Sequence, residues 1–327
     1  MAARMHHWVS QGYLRGFARP GAPNHVWTYD FKLDKSFTPN TQNVGAERDF
    51  NRIDIEGHPP DVVETALSAF EGEAIAAIKA TAEGTDHFSS DDARISILNL
   101  MALYAVRNPR LRERHRDFRE RGSKIIMNVM LSSKGLFEAQ VQNAKEAGFI
   151  DPDAVADYDA VKDFEQRGEF RVELAREEHI RQEFEVHDAV LQTLGQRQWA
   201  IIRATPDSGN FVTCDHPVLL RPTRPGVRPL AFGLKSAAVL FPMTRDVFLI
   251  GEFDMDPFVK QASLADVAAL NTEVILEAER QVYASDDTFP FFNLTQPPDP
   301  GRLFGDSVRL SFWLGVGGQG PLSGALA

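Results

Sequence analysis

Two glutamates, Glu64 and Glu71, stand seven residues apart where Val63, Leu67, Phe70, Ala74 and Ile78 recur at three-to-four spacing. That spacing predicts a helix. At 3.6 residues per turn the two carboxylates nearly superpose, with Ser68 between them. Carboxylates beside an apolar face are costly unless they are paired or hold a cation. For the pair alone, solvated boundary glutamates are the plainer account. A second candidate is His7, in the run from His6 and His7 through Trp8 to Phe17. Tyr13, Leu14 and Phe17 share one face of a short predicted helix, with the histidines one turn earlier. His7 there is either a hydrogen-bonded core residue or a carrier of protons.

Seven arginines fall between Arg107 and Arg121, interrupted by Glu113, Asp117 and Glu120. Arginine forks suit carboxylate or phosphate, but mixed charges at this spacing read first as a solvated, ion-paired helix. Arg107 is the exception, because it follows an apolar helical stretch and can point inward. His179, Glu183 and His187 are spaced by four, a spacing that can put metal ligands on one helix face, although the segment is highly charged throughout. Thr213-Cys214-Asp215-His216-Pro217 ends one predicted strand and precedes another. Strand-end loops often present functional groups. Cys214 reads as a nucleophile or as a small buried hydrophobe, and Asp215 as an acid–base or metal-binding group or as a turn residue. Gly315-Val316-Gly317-Gly318-Gln319-Gly320 matches the spacing of a dinucleotide-binding turn, but only seven residues follow it, too few for the helix that would receive a pyrophosphate.

The elements that must position these residues follow from the rest of the pattern. Residues 1–60 read as a short helix followed by irregular or strand structure, with a strand at His25–Phe31. Helices are predicted from Pro60, then from a cap at Ser89–Asp92 to a break at Pro109, and over about 110–130, 134–147, 153–166 and 170–194. The last of these carries Ile180, Phe184, His187, Leu191 and Leu194 on one face. Strands are predicted at 199–203, 210–213, 218–220, 237–241 and 247–250, and a final helix at 266–283. Helices run together and strands run together, which predicts an α+β fold. A mainly helical first two-thirds packs on a small, mostly antiparallel sheet formed by residues about 199–250, with a C-terminal helix. Residues 1–296 are expected to form one domain, and 297–327 a Pro/Gly-rich, partly flexible extension.

Across the 327 residues, Lys and Arg total 35 against 46 Asp and Glu, a net charge of −11. That balance disfavours a general nucleic-acid binder, which would carry a basic footprint. Cys214 is the only cysteine, so no intrachain disulfide forms, which fits a reducing, cytoplasmic setting. Residues 1–14 contain no apolar core of a signal peptide. No stretch approaches the roughly 18–20 apolar residues of a membrane span, and no membrane association is expected.

Several of these segments together resemble domain of unknown function 4238, a mainly bacterial family. His7, Tyr13, Leu14 and Phe17 match its opening motif, with Ser10 where proline is usual. Val63-Glu64 and Phe70-Glu71 look like its paired apolar–glutamate steps, and Arg107 like its arginine near the end of the next helix. Phe211 to Pro217 stands in place of a strand followed by Ser-Asp-Asn-Pro: Asp215 and Pro217 match, and Cys214 and His216 depart. The resemblance covers roughly residues 5–285. It implies that His7, Glu64, Glu71, Arg107 and Asp215 converge, and it implies no reaction.

Those residue types suit a hydrolase-type enzyme working by acid–base or metal-assisted chemistry. In that reading Glu64, Glu71 and Asp215 hold a divalent cation or activate water, His7 shuttles a proton, and Arg107 holds an anionic, phosphate-containing substrate. Two alternatives stand beside it. One is a binding or sensor module that recognises a small anion or a partner segment. The other is a buried polar network of structural value alone.

Overall fold

The computed structural model describes residues 5–85, 87–168, 174–224 and 226–292. The motif at Gly315–Gly320 and the 297–327 extension lie outside them. The chain groups into two compact units, one built from residues up to Asn108 and from Ile180 onward, the other from Pro109–His179.

The larger unit begins with strand β1 (Met5–His7) and helix α1 (Gln11–Arg15), then β2 (Trp27–Asp30), β3 (Lys35–Phe37) and β4 (Ala46–Arg48). Helices α2 (Val62–Glu83) and α3 (Asp91–Val106) follow. After the smaller unit come the end of α7 (Arg176–Gly195), β5 (Gln198–Arg203), β6 (Thr213–Cys214), β7 (Leu219–Pro222), β8 (Ala237–Thr244), β9 (Val247–Glu252), β10 (Phe258–Gln261), α8 (Leu264–Glu277) and β11 (Gln281–Ala284). The fold is α+β. Its five-stranded sheet has the order β10-β5-β9-β8-β7 and is antiparallel except where β10 joins β5. A four-stranded antiparallel sheet has the order β3-β2-β11-β6, and β1 pairs with β4 alone.

Strand alternation divides the core in two. Val239, Phe241 and Met243 of β8 and Val247 and Leu249 of β9 join a cluster with Tyr13, Phe17, Ile97, Met101, Tyr104 and Leu194. Leu240 and Phe248, on the opposite face, join Trp27, Phe211, Val267, Val274 and Val282. Successive strand residues point to opposite faces, so β8 is buried at all eight positions. This explains why its sequence is apolar from Ala237 to Met243 rather than alternating. Each fully buried Leu or Phe contributes about 1.5–3 kcal/mol.

Local signals set the helix limits. Ser90 caps α3 by accepting from Ala93 N at 3.0 Å, and Asp91 and Asp92 complement the positive end of the helix. The next proline, Pro109, disfavours a helical conformation at Asn108, so α3 stops at Val106. The smaller unit holds α4 (Pro109–Met130), α5 (Lys134–Glu146), α6 (Tyr158–Arg167) and the first turn of α7. There Phe137 meets Tyr158 edge-on, and the Tyr158 hydroxyl donates to Leu131 O at 2.8 Å.

Four expectations change. The two histidines lie on a strand, not in a helix. The final helix stops at Glu277, and Val282 and Tyr283 belong to β11. The strands predicted between 199 and 250 do not form one sheet, because β6 pairs with β11 beside β2. On α7, Phe184 is exposed, and the buried positions are Ile180, Glu183, Val190 and Leu194. No helix among the described residues is long and apolar enough to cross a membrane.

Candidate functional site

Three elements bring His7, Glu64, Glu71 and Arg107 together. In β1, His6 and His7 point to opposite sides, and both are buried. His7 pairs across from Ala46 of β4. The turn before β4 is held by Gly45, whose carbonyl accepts from Trp8 N at 3.0 Å and Val9 N at 3.2 Å. Gly45 has φ +62°, and a Cβ there would meet the Val9 Cβ at 3.1 Å, so glycine is required on two counts. On α2, Glu64 lies in the first turn and Glu71 two turns later, both flanking the face that buries Leu67, Ala74 and Ile78. Arg107 is the residue at which α3 ends. It leaves the helix with φ −106° and ψ 81° and is only 2% exposed.

Arg107 Nη2 donates to Glu71 Oε1 at 2.8 Å. Its Nε and Nη1 are buried and have no hydrogen-bond partner among the described residues. The same holds for His7 Nε2, Trp8 Nε1, Thr41 Oγ1 and Asn51 Oδ1. Asn51 is fully buried; its side chain donates to Glu64 Oε2 at 2.6 Å and its backbone N to His6 Nδ1 at 2.9 Å. Trp8 packs on Phe50. The Tyr104 hydroxyl shares a 2.8 Å hydrogen bond with Ser10 Oγ.

Burial sets the charge states. It lowers the His7 pKa; the charge of Glu64 and backbone hydrogen bonds at Gln42 and Thr41 oppose this, and the charge of Arg107 adds to it. His7 is therefore neutral at pH 7. Burial raises Glu71 to about 7; Arg107 opposes the rise and Glu64 adds to it. Burial also raises Tyr104, with the charge of Glu71 adding, so its hydroxyl stays protonated. A neutral imidazole, a carboxyl that exchanges its proton near neutrality and a fixed cation thus share one buried cluster.

Asp215 is not part of this group. Its carboxylate accepts from the backbone N–H groups of Glu279 at 3.0 Å, Arg280 at 2.8 Å and Gln281 at 3.1 Å, fixing the turn from α8 into β11. Burial raises its pKa to about 6 in spite of those donors. The expected cation site of Glu64, Glu71 and Asp215 is accordingly not assembled. Among the described residues, no three or more His, Cys, Asp or Glu side chains are placed to hold a metal. The spacing of His179, Glu183 and His187 also builds no such group: His187 contacts Asp188 Oδ1 and Asn99 O, and His179 packs on His115. Cys214 is buried and its thiol donates to His216 O at 3.2 Å, which suits a packed thiol better than a nucleophile.

Sequence reasoning missed Asn51, Trp8 and Tyr104. Trp8 adjoins His7 and could have been weighed with it; Asn51 carries no motif. Ser10 caps α1 by accepting from Tyr13 N at 3.3 Å, with φ −64°. That angle is the one proline fixes, so serine and proline fit the same backbone at this position. The serine additionally donates its N–H to the Tyr104 hydroxyl at 3.3 Å.

No curated protein and no solved structure matches the chain. Residues 5–288 match the family described as protein of unknown function DUF4238, a span that holds every element above, and the chain belongs to that family.

Proposed function

We propose that the protein is a hydrolase that takes a small, phosphate-containing anion at the cluster of His7, Glu64, Glu71 and Arg107. The observation that carries this reading is the buried Arg107 guanidinium, two of whose nitrogens have no partner among the described residues. Each unsatisfied buried donor costs about 1–3 kcal/mol, and an anion would supply the missing acceptors. Trp8 Nε1 offers a further donor and Asn51 Oδ1 an acceptor. In hydrolysis, His7 Nε2 would take a proton from water as its oxygen attacks phosphorus. The bond from phosphorus to the leaving oxygen would break, and Glu71 in its protonated form would supply that oxygen's proton. Glu64 would orient Asn51 and the His7 ring. Asp215 takes no part. A cation would find Glu64 and Glu71 without Asp215, so this mechanism uses side-chain acid–base chemistry. A net charge of −11 favours a small substrate over a nucleic acid. A reducing, cytoplasmic setting suits the single, buried cysteine.

The test is a panel of phosphomonoesters and phosphodiesters assayed with wild type, His7→Gln and Arg107→Met, alongside calorimetric binding of inorganic phosphate. Turnover lost in both variants, with phosphate binding lost in Arg107→Met only, supports the proposal. Absence of both turnover and phosphate binding in the wild type overturns it. A second reading, a structural network alone, is favoured by the buried 2.8 Å pair of Arg107 and Glu71. It predicts loss of stability in these variants and no ligand.

A further inference from the structure

Helix α4 (Pro109–Met130) has no buried residue along 22 positions. Phe118 is 72% exposed, Ile125 64%, Ile126 69% and Val129 58%. At about 100° per residue, Leu111, Phe118, Ile125 and Val129 fall within roughly 40° of one line, and Ile126 about 60° to its side. Arg110, Arg114 and Arg121 border this apolar arc on one margin, and Arg112, Arg116 and Arg119 on the other. Glu113, Asp117 and Glu120 lie on the far side, where Arg116 pairs with Glu113 and Asp117, and Lys124 with Glu120. Counted over the helix, seven Lys and Arg against three Asp and Glu give +4, in a chain of net −11.

An apolar arc with cations along both margins and acids opposite matches the cross-section of a lipid–water interface. Apolar side chains enter the acyl boundary and guanidinium groups meet phosphate heads. We propose that α4 docks the protein, lying flat, on a membrane surface rich in anionic phospholipid. The charge pattern selects this occupant over a second copy of the helix. Antiparallel self-pairing would set the arginine-rich half from 110 to 121 against a half, 122 to 130, with no acidic residue. The proposal involves no crossing of the bilayer, consistent with the absence of any spanning helix among the described residues.

The test is co-sedimentation of the full chain with vesicles of phosphatidylcholine alone and of phosphatidylcholine mixed with phosphatidylserine, with light scattering of the protein in parallel. The variant Phe118→Ser/Ile125→Ser changes only exposed side chains, and circular dichroism checks its fold. The expected result is binding to the mixed vesicles only, weakened by salt. The double variant should need at least about tenfold more lipid for half-binding, because two apolar insertions are lost. Three results overturn the proposal: wild type remaining in the supernatant with both vesicles, the double variant binding as well as wild type, or a wild-type dimer that the double variant dissolves without any vesicle binding.

Discussion

Glu71 gives the most quantitative handle on the site. Its ordinary carboxyl value of 4.5 rises to about 7 in the folded protein, chiefly through burial. The folded state therefore holds this proton more tightly than the unfolded chain does. Below pH 4.5 the group is protonated in both states and the folded protein carries no penalty from it. Above pH 7 the folded protein must hold a buried carboxylate. A shift of about 2.5 units corresponds to about 3.4 kcal/mol, and the two titration curves place about 2.5 kcal/mol of that between pH 8 and pH 5. The side chain is 14% exposed, so little of this is screened by solvent. Glu71→Gln keeps the shape and removes the titration. Urea denaturation of both proteins at pH 5, 6, 7 and 8 gives the difference in unfolding free energy, in which groups common to both cancel. Wild type should gain about 2.5 kcal/mol relative to Glu71→Gln on acidification over that range. A difference that stays flat with pH, or grows with the opposite sign, would refute the assignment of Glu71 as a buried carboxyl held near neutrality by burial.

Three further outcomes follow from the same reasoning. Arg107→Met leaves Glu71 without its partner, and should destabilise by about 3–5 kcal/mol at pH 8 but much less at pH 5, where Glu71 is neutral; urea titration at the two pH values checks this. Asp215→Asn presents an amide to the N–H groups of residues 279–281 and should cost about 1–3 kcal/mol. Activity per folded molecule should not change, and a variant of unaltered stability that has lost turnover would return Asp215 to the reaction. Arg197 is fully buried and donates to the carbonyls of Ala237, Gly251 and Phe232 at 2.6–3.1 Å. Arg197→Met should lower stability by about 3 kcal/mol or more in thermal or urea unfolding, since it orphans three buried acceptors.

The parts of the fold legible in the sequence are those specified locally. The α2 positions Leu67, Ala74 and Ile78, the Ser90 cap and the Pro109 break need only neighbours within a few residues, and they appear where the spacing puts them. Elements specified from a distance were not legible. Strand β1 has three residues, too few to show a period. Val282 continues the helical spacing of Val274 and Ala278, yet the chain turns at Ala278, whose ψ is 131°. The carboxylate that draws the backbone of residues 279–281 out of the helix comes from Asp215, more than 60 positions earlier. The same residue shows what the sequence leaves open: an aspartate at a strand end reads equally as a ligand or as a turn anchor, and its three backbone donors come from a segment far along the chain. His7, Glu64, Glu71 and Arg107 were recognisable by type and by resemblance to the family. Asn51 was not, because a buried amide between two sites has no spacing of its own.

The pairing of β2 with β11 has a consequence for biosynthesis. Strand β2 leaves the ribosome early and meets β3 almost at once, but its other neighbour is supplied about 250 residues later, where Arg280 also reaches Asp30. At roughly 5–20 residues per second, translation leaves that edge of β2 open for about 10–50 s. Trp27 and Tyr29 meanwhile lack much of the cover they have in the finished core. An uncovered aromatic strand edge invites pairing with other chains. Production of this protein is therefore expected to depend on translation speed and on chaperones that shield the nascent strand, and a chain shortened before residue 281 to aggregate rather than fold.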